Sequence, residues 1–153
     1  TGLRVSELIN LKIGDIDLNK RTLVVFGKGR KERNAYFTAK ASKAIKEWLN
    51  YNPDSSEFLF PSHGVSGHIT RDSVNKILSE ISIELGLNNN QLTPHKLRHA
   101  FATHMLNKGA DIRVIQQLLG HSNISTTEIY THILDSESVE TVLKNHPLGK
   151  SLS

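Results

Sequence analysis

The sequence predicts an α+β fold that is mainly helical, with one small antiparallel sheet near the start of the chain. Between residues 38 and 119, apolar side chains recur at helical spacing in four stretches, opened by Thr or Asp residues that suit a helix N-cap. Residues 15–37 instead hold short runs of apolar and β-branched side chains, separated by turn-forming pairs. The length of 153 residues suits one domain with a buried core.

Composition narrows the class of protein. Hydrophobic residues make up 37% and charged residues 22% of the chain, as in an ordinary globular domain. No apolar run is long enough to span a membrane and no signal peptide is recognisable, so we expect no membrane partner. The chain has no cysteine, which makes the cytoplasm the expected location. The formal charge of +4 permits a nucleic-acid partner without requiring one.

The N-terminal part is predicted to form a short helix followed by the sheet. We expect Ser6 to cap a helix that buries Leu8, Ile9 and Leu11. Strand-like runs then occupy residues 15–18, 22–26 and 32–37. The basic turn between the last two runs lacks the Gly-Lys-Ser/Thr ending of a phosphate-binding P-loop, so a solvated hairpin tip is its simplest interpretation.

The middle of the chain is predicted to hold two helices joined by a loop. The first covers residues 38–50 and places Trp48 in the core. The loop at residues 52–67 is rich in Pro and Gly, and its Phe58–Phe60 run is expected to attach it to the core. Thr70 caps the second helix, which we expect to bury the apolar residues Val74, Ile77, Leu78, Ile81 and Leu85.

Three further helices are predicted after residue 93. Thr93 and Pro94 open the first, which is expected to bury Leu97, Phe101 and Met105 and to stop at Gly109. The second begins at Asp111, stops at Gly120, and is expected to bury Ile112, Ile115 and Leu119. Residues 125–128 form a capping box for the third, which carries Tyr130 in its first turns.

These last three helices carry side chains suited to phosphodiester chemistry. Arg98 lies three residues after His95, on the same helix face, and arginine holds phosphates in a bidentate geometry. His121 can donate to a phosphoryl oxygen, and Tyr130 is a possible covalent nucleophile. Each residue alone is more often structural than catalytic. A zinc site using His95 and His99 is a further alternative, although the glutamate of the H-E-x-x-H motif is replaced by lysine here.

Three motifs in this order resemble the tyrosine recombinase (phage integrase) family, and its Xer branch most of all. They are H-x-x-R at residues 95–98, L-L-G-H-S at 118–122 and T-T-x-x-Y-T-H at 126–132. A fourth match, T-G-L-R-x-S-E-L at residues 1–8, lies far from the others in sequence. The resemblance covers nearly the whole chain and implies the catalytic domain of such a recombinase, with a β-hairpin in its small sheet.

The resemblance also implies roles for individual residues. Tyr130 would attack the scissile phosphodiester and form a 3′-phosphotyrosyl link, without a metal or other cofactor. Arg4, Arg98 and His121 would stabilise the transition state, and His95 would assist proton transfer. Lys28 would protonate the leaving 5′-hydroxyl, with Lys31 as the alternative, while Glu7 would support the site from a buried or half-buried position. Taken alone, Arg4 and Glu7 could equally be a surface ion pair of little consequence.

The resemblance implies double-stranded DNA as the partner, bound by a tetramer of protomers, and a location at the nucleoid. Candidate DNA contacts are Arg30, Lys31, Arg71 and Lys96, and solvated surface charge is an open alternative for Arg71. A C-terminal helix at residues 136–146 is expected to fold back on its own domain or to dock on a neighbouring protomer.

The domain is expected to be residues 1–153. Because Thr1 is not a methionine, we expect a fragment that lacks an upstream DNA-binding domain, is monomeric in solution and is only weakly active. Two other functions stay open. A type IB topoisomerase would share the chemistry but religate the same strand, and a non-catalytic DNA-binding module would use the basic surface alone.

Overall fold

The computed structural model describes residues 1–27, 32–52, 56–88 and 91–120. In chain order, these residues form helix α1 (Val5–Ile9), a 3₁₀ turn (Ile13–Asp15), strands β1 (Ile16–Asp17), β2 (Thr22–Phe26) and β3 (Glu32–Tyr36), and helices α2 (Ala39–Leu49), α3 (Arg71–Glu84), α4 (Pro94–Asn107) and α5 (Ile112–Leu119). The predicted α+β class, mainly helical with a small sheet, is therefore confirmed. Within the described part of the chain, no helix has the length and apolar character needed to cross a membrane.

The sheet is antiparallel, in the order β1-β2-β3. Leu23 pairs with Ala35 and Val25 pairs with Arg33, so these four side chains lie on one face of the β2–β3 hairpin. On that face, Leu23, Val25 and Ala35 are buried in a hydrophobic cluster that also contains Leu11, Phe37 and Leu59. Arg33 therefore continues a row of inward-facing positions that is otherwise apolar.

A second hydrophobic cluster lies between α4 and α5. Its members are Tyr36, Phe101, Met105, Ala110, Val114, Ile115, Leu118 and Leu119. Tyr36 lies between Ala35 and Phe37 in sequence, and successive side chains of a strand point to opposite faces. The end of β3 therefore contributes to both clusters and holds α4 and α5 against the sheet.

Most predicted helix starts are confirmed by their caps. The hydroxyls of Thr38, Thr70 and Thr93 and the carboxylate of Asp111 each accept a hydrogen bond from a backbone N–H in the first turn that follows. Gly120 ends α5 in the left-handed conformation, with φ 65° and ψ 46°. The prediction for α1 was wrong, because the N-cap is Arg4 rather than Ser6: the N3 side chain that bonds back to the N-cap backbone is Glu7.

Several predicted core residues are instead exposed. In α4, Leu97 is 46% exposed, since it lies one turn before Phe101 and beyond the edge of the cluster that Phe101 and Met105 enter. Ile112 is exposed because it opens α5, ahead of the turns that bury Val114 and Ile115.

The same correction applies to α2 and α3. Trp48 is an exposed residue at the edge of α2, where its Nε1 donates to the carbonyl of Leu59 over 2.6 Å. The buried side of α3 runs through Val74 and Ser82 only. Of the other apolar residues, Leu78 is half-buried, whereas Ile77, Ile81, Ile83 and the C-cap residue Leu85 are exposed.

Candidate active site

Arg4 and Glu7 are bound to each other at the start of α1. The backbone N–H of Arg4 donates to Oε2 of Glu7 at a distance of 2.7 Å. Nη1 of the Arg4 side chain donates to Oε1 of Glu7 at 3.0 Å. The Glu7 side chain is only 3% exposed, whereas that of Arg4 is 40% exposed. This pair is therefore not a solvated surface ion pair. A buried carboxylate holds a guanidinium that still reaches the surface.

Arg33 binds the same carboxylate from the other side. Its Nη2 donates to Oε2 of Glu7 over 2.8 Å, and its side chain is 14% exposed. Arg33 lies outside the sequence motifs that predicted the site. The available signal was strand alternation, since Arg33 is in phase with Ala35 and Phe37, and a charged side chain at an inward-facing position is unusual.

Arg98 reaches the same region from α4. Its Nη1 donates to the carbonyl of Gly2 and its Nη2 donates to the carbonyl of Leu119, and each donor–acceptor distance is 2.5 Å. The last carbonyls of a helix carry partial negative charge, so the end of α5 is a suitable acceptor for a guanidinium. Arg98 thereby joins the segment before α1 to the end of α5.

Gly120 completes the arrangement. Its carbonyl accepts from Nη2 of Arg4 over 3.0 Å. A Cβ atom at this position would lie 2.6 Å from Nε of Arg33 and 3.5 Å from Nη1 of Arg4. The backbone that leads to residue 121 therefore passes directly beside two of the three arginines, and only glycine fits there without displacing them.

We call Arg4, Arg33, Arg98 and Glu7 the arginine cluster. Three guanidinium groups and one carboxylate give it a net charge of +2 (three positive charges minus one). Burial, and then the neighbouring charge of Arg4, lowers the pKa of Arg98 to about 10. Burial also lowers the pKa of Arg33, against the opposing effect of Glu7. Both arginines stay charged at neutral pH, so the cluster favours an anion with several acceptor oxygens, such as a phosphodiester.

The other predicted site residues on described elements lie at helix starts. His95 and Lys96 are exposed in the first turn of α4, one turn before Arg98. Arg71 is exposed as the first residue of α3. In the described ranges, no three His, Asp or Glu side chains are grouped closely enough to hold a metal ion.

The structure therefore brings Arg4, Glu7 and Arg98 together. The remaining predicted residues, Lys28, Arg30, Lys31, His121 and Tyr130, lie outside the described residues, as does the predicted helix at 136–146.

The chain is similar to several known recombinases. The chain is 44% identical over 153 residues to the tyrosine recombinase XerD of Rhizobium meliloti, covering 98% of this chain and 49% of that protein. Among solved structures, the XerA recombinase matches with a TM-score of 0.72 and 37% identity, over 96% of this chain and 54% of that chain. The XerH recombinase bound to its difH substrate, before cleavage, matches with a TM-score of 0.68 and 29% identity, over 90% of this chain and 38% of that one.

The chain spans about half the length of the curated relatives that it matches. The profile of the phage integrase family matches residues 1–137, which include all four motifs and the whole arginine cluster. Because the family model covers most of the chain and the fold matches, the chain belongs to the phage integrase family and its fold is that of a tyrosine recombinase catalytic domain.

Proposed function

We propose that this chain carries out the DNA cleavage and strand transfer of a site-specific tyrosine recombinase. The single observation that carries the proposal is the arginine cluster, in which a buried carboxylate orients Arg4 while Arg98 is anchored on two backbone carbonyls. Fixed guanidinium groups can stabilise the charge that develops on a phosphodiester without reorganising during the reaction.

The proposed reaction has two steps, strand cleavage by Tyr130 and strand joining by a 5′-hydroxyl. The hydroxyl oxygen of Tyr130 attacks the scissile phosphorus, and the bond from phosphorus to the 5′ oxygen breaks. Lys28 gives a proton to the departing 5′ oxygen, and the tyrosine proton is taken up with the help of His95. The phosphodiester is conserved as a 3′-phosphotyrosyl link, which the 5′-hydroxyl of another strand then attacks to release Tyr130.

Arg4, Arg98 and His121 are proposed to hold the nonbridging oxygens through these steps, with Glu7 as their support. Guanidinium groups supply the positive charge that metal ions provide in other phosphoryl-transfer enzymes. We therefore propose a reaction that needs no cofactor.

The proposed partner is double-stranded DNA. A recombinase of similar fold has been solved bound to its DNA substrate, which supports this choice. Arg30, Lys31, Arg71 and Lys96 are proposed backbone contacts, which would make binding weaken steeply with salt. Assembly as a tetramer on DNA, docking of residues 136–146 on a neighbouring protomer and location at the nucleoid in the cytoplasm are parts of the same proposal.

The test is a covalent adduct. The chain is incubated in EDTA with nicked DNA, alongside a second protein in which it is fused to the part of Rhizobium meliloti XerD that it does not cover, acting on that relative's recombination site. Mass spectrometry should find a nucleotide on Tyr130, and Tyr130→Phe should form none while binding DNA with nearly unchanged affinity. An adduct that survives in Tyr130→Phe would refute the choice of nucleophile, and no adduct from either wild-type protein would refute the catalytic proposal.

The same two proteins distinguish the proposed recombinase from the two alternative functions. Exchange of strands between two labelled sites is expected for a recombinase, whereas relaxation of supercoiled plasmid without exchange would identify a type IB topoisomerase. Salt-dependent binding without any adduct would identify a DNA-binding module.

A further inference from the structure

The residue of the arginine cluster left without a role is Arg33. It lies on β3, 26 positions after Glu7 in the sequence, and it shares the Glu7 carboxylate with Arg4. Oxygen Oε2 accepts from Arg33 and from the backbone of Arg4, so the guanidinium of Arg4 is left with Oε1 alone. The carboxylate is thus divided between two arginines.

This division decides how much positive charge Arg4 presents. A buried carboxylate needs compensating donors, and its strongest pairing is a bidentate one with a single guanidinium. Without Arg33, Glu7 would be free to turn both oxygens to the guanidinium of Arg4. Arg4 would then be neutralised and rotated away from any other anion. With Arg33 present, one carboxylate cannot cancel two guanidinium groups.

Arg33 also packs against the turn that ends α5. Its Nε and Cδ lie 2.6 Å and 3.0 Å from the place that a side chain of residue 120 would occupy. The same turn provides the carbonyl of Gly120 that binds Arg4. The turn therefore confines the Arg33 side chain to the position from which its Nη2 reaches Glu7.

The hydrogen bonding of Arg33 argues against a role in stability alone. Its Nε and Nη1 are buried, and among the described residues neither has a hydrogen-bond partner. Unpaired buried donors are unfavourable for folding, and a methionine of similar length would avoid them. An arginine at this inward-facing position is best explained by what its charge does to Glu7.

We infer that Arg33 is a positioning residue for the reaction, which acts through Glu7 to keep the guanidinium of Arg4 free for the scissile phosphate. This inference rests on the proposed function. Arg33 touches the carboxylate and the α5 turn, and it is not assigned any contact with DNA.

The kinetic test measures single-turnover cleavage at saturating DNA, in whichever of the two proteins above forms the adduct. Arg33→Met should lower the rate about 10- to 100-fold, as expected when a catalytic group is displaced by about 1 Å, and DNA affinity should change little. Arg33→Lys retains a charge for Glu7 and should recover part of the rate. Arg113→Met, which removes an exposed arginine from α5, is the matched control and should cleave like the wild type.

A double variant tests whether Arg33 acts through Glu7. The single variant Glu7→Gln and the double variant Glu7→Gln/Arg33→Met should cleave at the same rate. Without a carboxylate at residue 7, Arg33 has no negative charge to divide with Arg4. Wild-type cleavage by Arg33→Met would overturn the inference. Losses that multiply in the double variant would overturn it as well, since Arg33 would then act independently of Glu7.

An NMR measurement keeps the inference testable without cleavage. Rotation of the Arg4 guanidinium about its Cζ–Nη bonds should become slower in Arg33→Met, as the bidentate pair with Glu7 forms, and Arg33→Lys should lie between that variant and the wild type. Unchanged Arg4 signals would refute the positioning role. If no wild-type protein forms an adduct, the proposed function fails, and this measurement still decides the role of Arg33.

Discussion

Replacing Gly120 with alanine should destabilise the fold by more than its backbone conformation explains. Gly120 has φ 65° and ψ 46°, where an L-residue costs about 1–2 kcal/mol relative to glycine. The new methyl group would also lie 2.6 Å from Nε of Arg33, well inside contact distance. Arg33 is mostly buried, with a side chain that is 14% exposed, and it is bound to Glu7, so it cannot swing into solvent without breaking a charge-assisted hydrogen bond.

The size of the effect follows from these two parts. Loss of a hydrogen bond to a charged group costs about 1.5–3 kcal/mol. Added to the backbone part, Gly120→Ala should therefore lower the free energy of unfolding by about 2.5–5 kcal/mol.

Gly86 offers a matched control. It has φ +67°, close to that of Gly120, but a Cβ atom there would meet nothing within 4 Å. Gly86→Ala should consequently show the backbone part alone, about 1–2 kcal/mol. Urea unfolding of both variants at one pH measures the difference.

A third variant assigns the difference to Arg33. In an Arg33→Ala background, Gly120→Ala should cost no more than Gly86→Ala does, because the atoms in its way are gone. Equal losses for Gly120→Ala and Gly86→Ala in the wild-type background would refute the reasoning. They would mean that Arg33 has space to move and that the cluster is not closely packed at this turn.

Two further predictions concern α4. The pKa of Arg98, lowered by burial to about 10, should appear as a ¹³Cζ NMR titration with a midpoint near pH 10. Since the unfolded chain holds this proton more tightly, Arg98 should contribute an increase in stability as the pH rises above about 10, and no pH dependence below that value. An Arg98 that keeps its proton through pH 12 would contradict the burial argument. Met105→Ala, at a fully buried position, should lower the free energy of unfolding by about 2–5 kcal/mol, whereas Leu97→Ala should cost well under half as much. Equal losses in thermal or urea unfolding would show that Leu97 is a core residue after all.

Local features of the fold were predictable from the sequence because their causes are local. The hydroxyl of a Thr or the carboxylate of an Asp caps the helix that follows it. Gly120 ends α5 because the left-handed conformation suits glycine. Burial was less predictable. Leu97, Ile112 and Trp48 fit the apolar periodicity of their helices, yet each is exposed, because periodicity does not show how far the packing surface extends along a helix.

For the site, the motifs at residues 1–8 and 95–98 were enough to single out Arg4, Glu7 and Arg98 as candidates. That these groups meet depends on the tertiary structure, since the hydrogen bond from Arg98 to Gly2 joins residues 96 positions apart. The tertiary structure alone also brought Arg33 to Glu7. Strand alternation shows that Arg33 faces inward, but the carboxylate that it meets there comes from a separate helix, and no local pattern encodes which distant charge a buried arginine will find.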